Sequence, residues 1–153
     1  MQIRVPESLG GGDLRVLPVE NPLYEADVAD IFIGKSGTGN PKATVKYIVT
    51  SEYEGKEAKA KNFESTVGAV VLETFSLQEQ AIWRLNDFFK QCTGDRLPQG
   101  DFAEEEFGGM LKDQCVGTSF HLILNNEADN KGVERTQVEK REKVEKKRLR
   151  GKR

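Results

Sequence analysis

Lysine and aromatic side chains occur together in the first half of the sequence, a composition typical of surfaces that bind single-stranded nucleic acid. Cations contact the phosphates of such a strand, and flat rings stack on its bases. Each stacked base contributes about 1–3 kcal/mol, and stacking tolerates any sequence because every base has a flat face. Lysine is also common on any protein surface, so an ordinary solubilising surface explains the pattern equally well. The candidate binding residues are Lys35, Lys42, Lys46, Tyr53, Lys56, Lys59, Lys61, Phe63 and Arg135.

The candidates have separate chemical roles. Lys42 and Lys46 lie on one face of a predicted strand, and Lys35 lies at the tip of the hairpin that precedes it. The connection after that strand places two rings, Tyr53 and Phe63, among three lysines. We expect the lysines to contact phosphates and the two rings to stack on bases.

The segment Gly34–Gly39 has the glycines and lysine of a nucleotide-binding loop, but its spacing is wrong. A P-loop needs a lysine for the phosphates followed by a hydroxyl for magnesium. Those two positions hold Asn40 and Pro41, and the residues that follow alternate as a strand rather than opening a helix. The segment therefore predicts a flexible hairpin turn, and a nucleotide-handling enzyme is a minor alternative.

Other catalytic chemistry has little support. Cys92, Cys115 and His121, the only histidine, lack the spacing of metal ligands and do not form an obvious nucleophile and base. The consecutive carboxylates Glu104–Glu106 would point in different directions on a helix. We therefore predict a protein that is not an enzyme, with no catalytic residue, metal or cofactor.

Charge is distributed unevenly along the chain. The net charge of −2 combines +7 over residues 131–153 with −9 over the other 130 residues. A basic end on an acidic body favours an arm that binds a polyanion, although a clamp onto the acidic surface of the chain itself, or a solvated end, is also compatible. Two cysteines, no apolar run of membrane length and no hydrophobic leader predict a cytoplasmic protein without membrane contact.

Apolar periodicity predicts a chain of strands interrupted by one helix. A change of phase near Asp30 in the first strand predicts a bulge. Ser76 and Glu79 form a capping box for the helix, and Tyr47 is expected in the core. Trp83 on that helix is expected to pack beneath a neighbouring strand, although it could instead be a ring on which a base stacks. The predicted strands are 24–34, 41–51, 67–75, 116–124 and 133–143, with a helix over 77–92 and a short acidic helical turn within 102–111. The last strand could instead be the start of a charged helix.

This order predicts a mainly β fold, namely a small five-stranded OB-like barrel with one helix between strands 3 and 4. Its domain would span residues 21–143. A flexible glycine-rich arm would precede it over residues 1–20, and a basic tail would follow over residues 144–153.

Several motifs in this order resemble a phage protein family that was first catalogued as a domain of unknown function. The resemblance covers about residues 17–140. Its parts are the strand Tyr24–Val28, the turn Lys35–Pro41, the strand Ala43–Val49, the turn Tyr53–Gly55, the helix residues Ser76, Leu77, Ala81, Trp83 and Leu85, and the turn Glu105–Gly109.

The resemblance implies an OB-type barrel that binds single-stranded DNA during phage replication or recombination in the host cytoplasm, without catalytic residues. Proteins of those processes and further copies of the chain are additional candidate partners. Two departures from the family are a longer connection between Gly55 and Val67 and a basic rather than acidic C-terminus. The alternative is an adaptor of a phage recombination complex that never contacts DNA.

Overall fold

A computed structural model describes residues 13–14, 16–19, 23–52, 65–128 and 131–144. These residues form one sheet and two helices. The strands are β1 (Asp13–Leu14), β2 (Leu23–Lys35), β3 (Pro41–Val49), β4 (Ala69–Ser76), β5 (Ser119–Ala128) and β6 (Glu134–Lys143). The helices α1 (Trp83–Thr93) and α2 (Glu104–Cys115) both lie between β4 and β5 in the chain. The predicted mainly β class is confirmed.

The strand order in the sheet is β1-β4-β3-β2-β5-β6. Neighbouring strands are antiparallel, except that the two-residue β1 runs parallel to β4. Strand β6 decides between the two alternatives for residues 133–143, since this segment pairs with β5 rather than forming a helix. The described helices are too short and too polar to cross a bilayer.

One face of the sheet and the apolar sides of the two helices form the core. Alternation along β3 buries Ala43, Val45, Tyr47 and Val49, as the sequence predicts. Helix α1 adds Phe88, whose ring lies 5.5 Å from Phe75 and 5.9 Å from Phe120 between ring centroids. The side chains on the opposite face of β3 therefore point away from the core, and these include two of the candidate lysines.

The predicted bulge in β2 is confirmed. The register between β2 and β3 shifts between Val28 and Asp30. Val28 and Ile31 are both buried although they are three positions apart, which regular alternation would not allow. The bulge inserts the extra residue Ala29, so that Ile31 again faces the core. Phe32 consequently points to the outside of the sheet.

The helical region differs from the prediction of one helix. Two helices are present, and α1 begins at Trp83 because residues 78–82 form a bend and a turn, in which the amide of Ala81 donates to the carbonyl of Gln78. Ser76 accepts a hydrogen bond from the amide of Gln78 and so stabilises this turn instead of capping α1. The expected packing of Trp83 is also wrong, since its side chain is 61% exposed.

The sheet curls but is not a closed barrel. Along the described strands no backbone ladder joins β4 to β6. Side chains bridge the two instead, where Arg141 of β6 forms an ion pair with Glu73 of β4. The residues just before β2 also contact β6, since the amide of Leu17 donates to Thr136 Oγ1 at 2.9 Å. The proposed arm is described only at residues 13–14 and 16–19, and most of the tail lies outside the described residues.

Candidate nucleic-acid interface

The outward-facing side of β2, β3 and β4 carries the best-supported candidate site, and we call it the outer face. Cross-strand register fixes which of its residues are neighbours. Three rows cross the sheet, composed of Asp30, Lys46 and Leu72, then Phe32, Thr44 and Thr74, then Gly34, Lys42 and Ser76. Side chains in one row lie directly opposite each other, and those in adjacent rows are diagonal neighbours.

Phe32 occupies the middle of this face and is partly exposed to solvent. Its side chain is 45% exposed, and it lies opposite Thr44, which is buried. Lys42 and Lys46 lie two positions to either side of Thr44 on the same face, so each is a diagonal neighbour of Phe32. Phe32 is thus a flat apolar ring between two ammonium groups, which is the combination that binds a base and its adjacent phosphates.

The two lysines differ in their local charge environment. Lys46 lies opposite Asp30, whose carboxylate Oδ1 is 3.6 Å from Lys112 Nζ of α2 and accepts a hydrogen bond from the amide of Ile31. Lys42 lies between Gly34 and Ser76, neither of which carries charge. We therefore expect Lys42 to be the stronger phosphate contact of the pair.

A groove of about 630 Å³ runs along the outward side of β4, and we call it the β4 groove. Its floor includes Val70, Leu72 and Thr74, and its cations are Lys42, Arg84 and Arg135. Two of the predicted binding residues, Lys42 and Arg135, therefore line one groove although they are far apart in the sequence.

Two carboxylates, Glu73 and Glu134, also line the β4 groove. The ion pair with Arg141 and a hydrogen bond from the Tyr47 hydroxyl, 2.6 Å from Glu73 Oε1, compensate the charge of Glu73. Burial and the neighbouring carboxylate hold the pKa of Tyr47 well above its usual value of about 10. With Glu73 compensated, the remaining lining charges of the groove favour an anion.

The loop between β2 and β3 is a hairpin turn, as its spacing predicts. The amide of Ser36 donates to the carbonyl of Asn40 at 2.8 Å, and Gly39 has a left-handed backbone with φ of 87°. Lys35 ends β2 at this turn and is exposed, one position from the Gly34–Lys42 row. It therefore lies at the end of the outer face rather than between its rows.

The remaining predicted residues, Tyr53, Lys56, Lys59, Lys61 and Phe63, lie outside the described residues. The structure does describe both ends of the connection that carries them. Ser65 Oγ donates to Glu52 Oε1 at 2.5 Å, and Thr66 Oγ1 donates to the carbonyl of Ser51 at 2.7 Å. The connection thus leaves and rejoins the sheet next to the first residues of β4, where Val70 begins the floor of the β4 groove.

Two residues of this surface, Phe32 and Arg84, are absent from the sequence-based set. Phe32 could have been identified, because a bulge at Asp30 with Ile31 and Ile33 facing inward requires the residue between them to face outward. Arg84 gave no comparable signal, since its position depends on where α1 begins and how that helix crosses β4.

The residues considered for metal or nucleophilic chemistry lie elsewhere. Cys92 and Cys115 are buried at the C-terminal ends of α1 and α2. A hydrogen bond between their side chains lowers the pKa of Cys92 and, together with burial, raises the pKa of Cys115. His121 Nε2 lies 3.6 Å from Glu25 Oε1. In the part of the chain that the structure describes, no group of three or more His, Cys, Asp or Glu side chains could hold a metal ion.

Comparison with known proteins adds no relative. No protein-family model matches the chain, and no curated protein matches it. The resemblance to the phage family therefore stays a prediction that rests on the sequence motifs.

Proposed function

We propose that this protein binds single-stranded DNA without sequence preference and without catalysis, in phage replication or recombination. The observation that carries the proposal is the exposed ring of Phe32 between Lys42 and Lys46 on the outer face. The β4 groove continues this surface with Arg84 and Arg135. The phage context rests on the sequence resemblance alone.

The unpaired state of the DNA follows from the geometry of stacking. Bases inside a duplex are covered by their neighbours, so a ring fixed on a sheet can stack only on a base whose face is free. The hydrophobic part of the outer face, Phe32 and the floor of the β4 groove, accepts any base. The surrounding ammonium and guanidinium groups contact phosphates, which carry no sequence information. Both features favour sequence-tolerant binding.

The strand arrangement supports an OB-type fold as part of this proposal. Strands β2, β3 and β4 form a meander, β5 pairs with the other side of β2, and β6 pairs with β5. An OB-fold is a partly open five-stranded barrel, and its second and third strands, here β3 and β4, carry the ligand-binding face. Lys42, Lys46, Leu72 and Thr74 lie on the corresponding strands of this chain.

The direct test is a titration of the protein into a fluorescently labelled oligonucleotide of about 30 nucleotides, longer than the 4–16 nucleotides that one OB-fold covers. We expect anisotropy to rise with similar affinity for dT, dA and mixed sequences, and to rise much less with a duplex of the same length. Binding should weaken steeply between about 50 and 200 mM salt. An unchanged anisotropy with single strands at low salt would contradict the proposal.

A further inference from the structure

A second groove, of about 890 Å³, is lined by residues of α1 other than Arg84, and we call it the Trp83 groove. Helix α1, the start of α2 and the segment between them surround it. Its apolar lining includes Ile82, Trp83, Pro98, Phe102 and Phe107. The rings of Phe102 and Phe107 pack against each other at 5.7 Å between centroids. A large indole 61% exposed beside such a groove is typical of a surface that another segment covers.

The charge on this groove is opposite to that of the β4 groove. Its charged lining residues are three carboxylates, Glu79, Asp101 and Glu104, and one cation, Arg96. An occupant of complementary chemistry therefore carries several cations together with an apolar side chain. Lysine or arginine can also lie over the face of Trp83, the ring that attracts cations most strongly.

Residues 145–153 of the chain itself have this chemistry. They contain six Lys or Arg residues and one Glu, a net charge of +5, with Leu149 between Arg148 and Arg150. This segment lies outside the described residues, but its starting point is fixed. Val144 donates its amide to the carbonyl of Ser119, and Lys143 Nζ donates to the carbonyl of Cys92 near the end of α1.

Residues 145–153 are long enough to reach the Trp83 groove from Val144. Trp83 and Cys92 are the first and the penultimate residue of α1, and at 1.5 Å per residue they are about 14 Å apart along the helix. Leu149 follows Val144 by five residues, which span about 17 Å when extended. That length exceeds the roughly 14 Å along the helix, so Leu149 is within reach of the groove.

We propose that residues 145–153 dock in the Trp83 groove of the same chain, with Leu149 among the apolar side chains and the flanking cations against Trp83 and the carboxylates. This interaction is separate from the proposed binding of DNA and does not depend on it. The basic tail would then bind carboxylates of the acidic part of the same chain, which accounts for the uneven charge along the sequence.

The test uses Trp83, the only tryptophan of the chain, as a reporter. Acrylamide quenching is compared between the full chain and a chain that ends at Val144, in the absence of DNA. A tail that covers one face of the indole lowers the quenching constant about twofold relative to the truncated chain. Added peptide of sequence 145–153 should restore the protection, and about 1 M salt should remove it, because charge attraction is then screened beyond about 3 Å.

Charge-neutralising variants of the full chain separate docking from a general salt effect. Glu79→Gln with Asp101→Asn and Glu104→Gln should raise the quenching constant to that of the truncated chain. The matched control, Asp113→Asn with Glu127→Gln and Glu139→Gln, removes three exposed carboxylates elsewhere and should leave protection intact. Equal quenching of the full and truncated chains would overturn the proposal, and so would protection that grows with protein concentration, because a second copy would then supply the tail.

Discussion

Arg141 of β6 and Glu73 of β4 form an ion pair across the side of the sheet where no backbone ladder joins the described strands. Both side chains are mostly buried. The Arg141 guanidinium also lies 5.5 Å from the ring centroids of Phe75 and Phe88, and its Nε donates to Gln91 Oε1 of α1. One side chain of β6 therefore links β4 and the first helix to β6.

Removing the cation from this pair should destabilise the fold. Arg141→Met keeps the apolar stem against the two phenylalanine rings but leaves the carboxylate of Glu73 buried without a counter-charge. We expect the free energy of unfolding to fall by about 3 kcal/mol, measured by urea denaturation. Adding Glu73→Gln to the same variant should recover part of that loss, because no uncompensated charge then remains.

The exposed neighbour Lys140 provides the control for this experiment. Lys140→Met makes the same chemical change on the same strand, outside the buried network, and should alter the free energy of unfolding by less than about 1 kcal/mol. Equal losses for the variants at positions 140 and 141 would show that Arg141 does not hold β4 and β6 together.

Tyr47 should make stability depend on alkaline pH. Its folded-state pKa is raised well above 10, first because the ring is buried and then because the Glu73 carboxylate opposes a phenolate. Below pH 10 the tyrosine is neutral in both states and its stabilisation is fully present. Above about pH 10 the unfolded chain loses the proton and the folded protein keeps it, so stability falls as pH rises.

Tyr47→Phe isolates this effect. The variant should lose about 1 kcal/mol at neutral pH, because the hydrogen bond to Glu73 is gone, and its free energy of unfolding should decline less between about pH 9 and 11. Urea denaturation across this range measures both quantities. If the free energy of unfolding of the variant declined as steeply as that of the unsubstituted protein, groups other than Tyr47 would cause the loss of stability at alkaline pH.

Reversing the charge of Lys42 and Lys46 distinguishes the proposed DNA-binding protein from the adaptor alternative. The double variant Lys42→Glu with Lys46→Glu should lose more than about tenfold in affinity for single strands. The slope of its log affinity against log salt concentration should become shallower by about 0.7 for each phosphate contact that is lost. Anisotropy titrations at several salt concentrations measure both effects. The double variant Lys90→Glu with Lys140→Glu carries the same charge change on exposed positions elsewhere.

An adaptor that never contacts DNA predicts a different result. Neither double variant would then alter an interaction with a protein partner, and the unsubstituted chain would not bind oligonucleotides. Equal loss of DNA binding in both double variants would instead indicate that DNA is attracted by the overall charge of the protein and does not bind specifically at the outer face.

The exposed ring of Phe32 should contribute affinity without contributing to the core. Phe32→Ala should weaken binding by about 1–3 kcal/mol, roughly 5- to 150-fold, whereas Phe32→Trp should keep or increase it. Leu23→Ala is the control, since Leu23 lies on the same strand and is 62% exposed outside the three rows. Similar affinities for the Phe32→Ala and Leu23→Ala variants would remove Phe32 from the binding surface.

Sequence patterns predicted the strands well because alternation records directly which residues face a core. The inward set of β3 and the bulge near Asp30 are both present in the structure. The start of α1 was not predictable from the capping box, because Ser76 satisfies an amide within the preceding turn. A lone tryptophan on a helix favours packing beneath a strand over stacking, but the exposure of Trp83 depends on how the helix is rotated on the sheet.

The candidate site was only partly predictable for a related reason. Lys42 and Lys46 share a face by strand periodicity, which is local information. The proximity of Lys42 to Arg84 and Arg135 arises from the curl of the sheet and the path of α1, and neither is encoded in a short sequence window. The ion pair between Glu73 and Arg141 is likewise a long-range consequence of that curl.

Photochemical cross-linking would locate bound DNA on the protein. An oligonucleotide that carries 5-iododeoxyuridine is irradiated in complex with the protein, and the linked peptide is identified by mass spectrometry. Because the halogenated base reacts with an aromatic ring on which it stacks, we expect a cross-link at Phe32 that disappears in the Phe32→Ala variant. A cross-link confined to Trp83, which lines the other groove, or none despite saturating DNA, would contradict binding at the outer face.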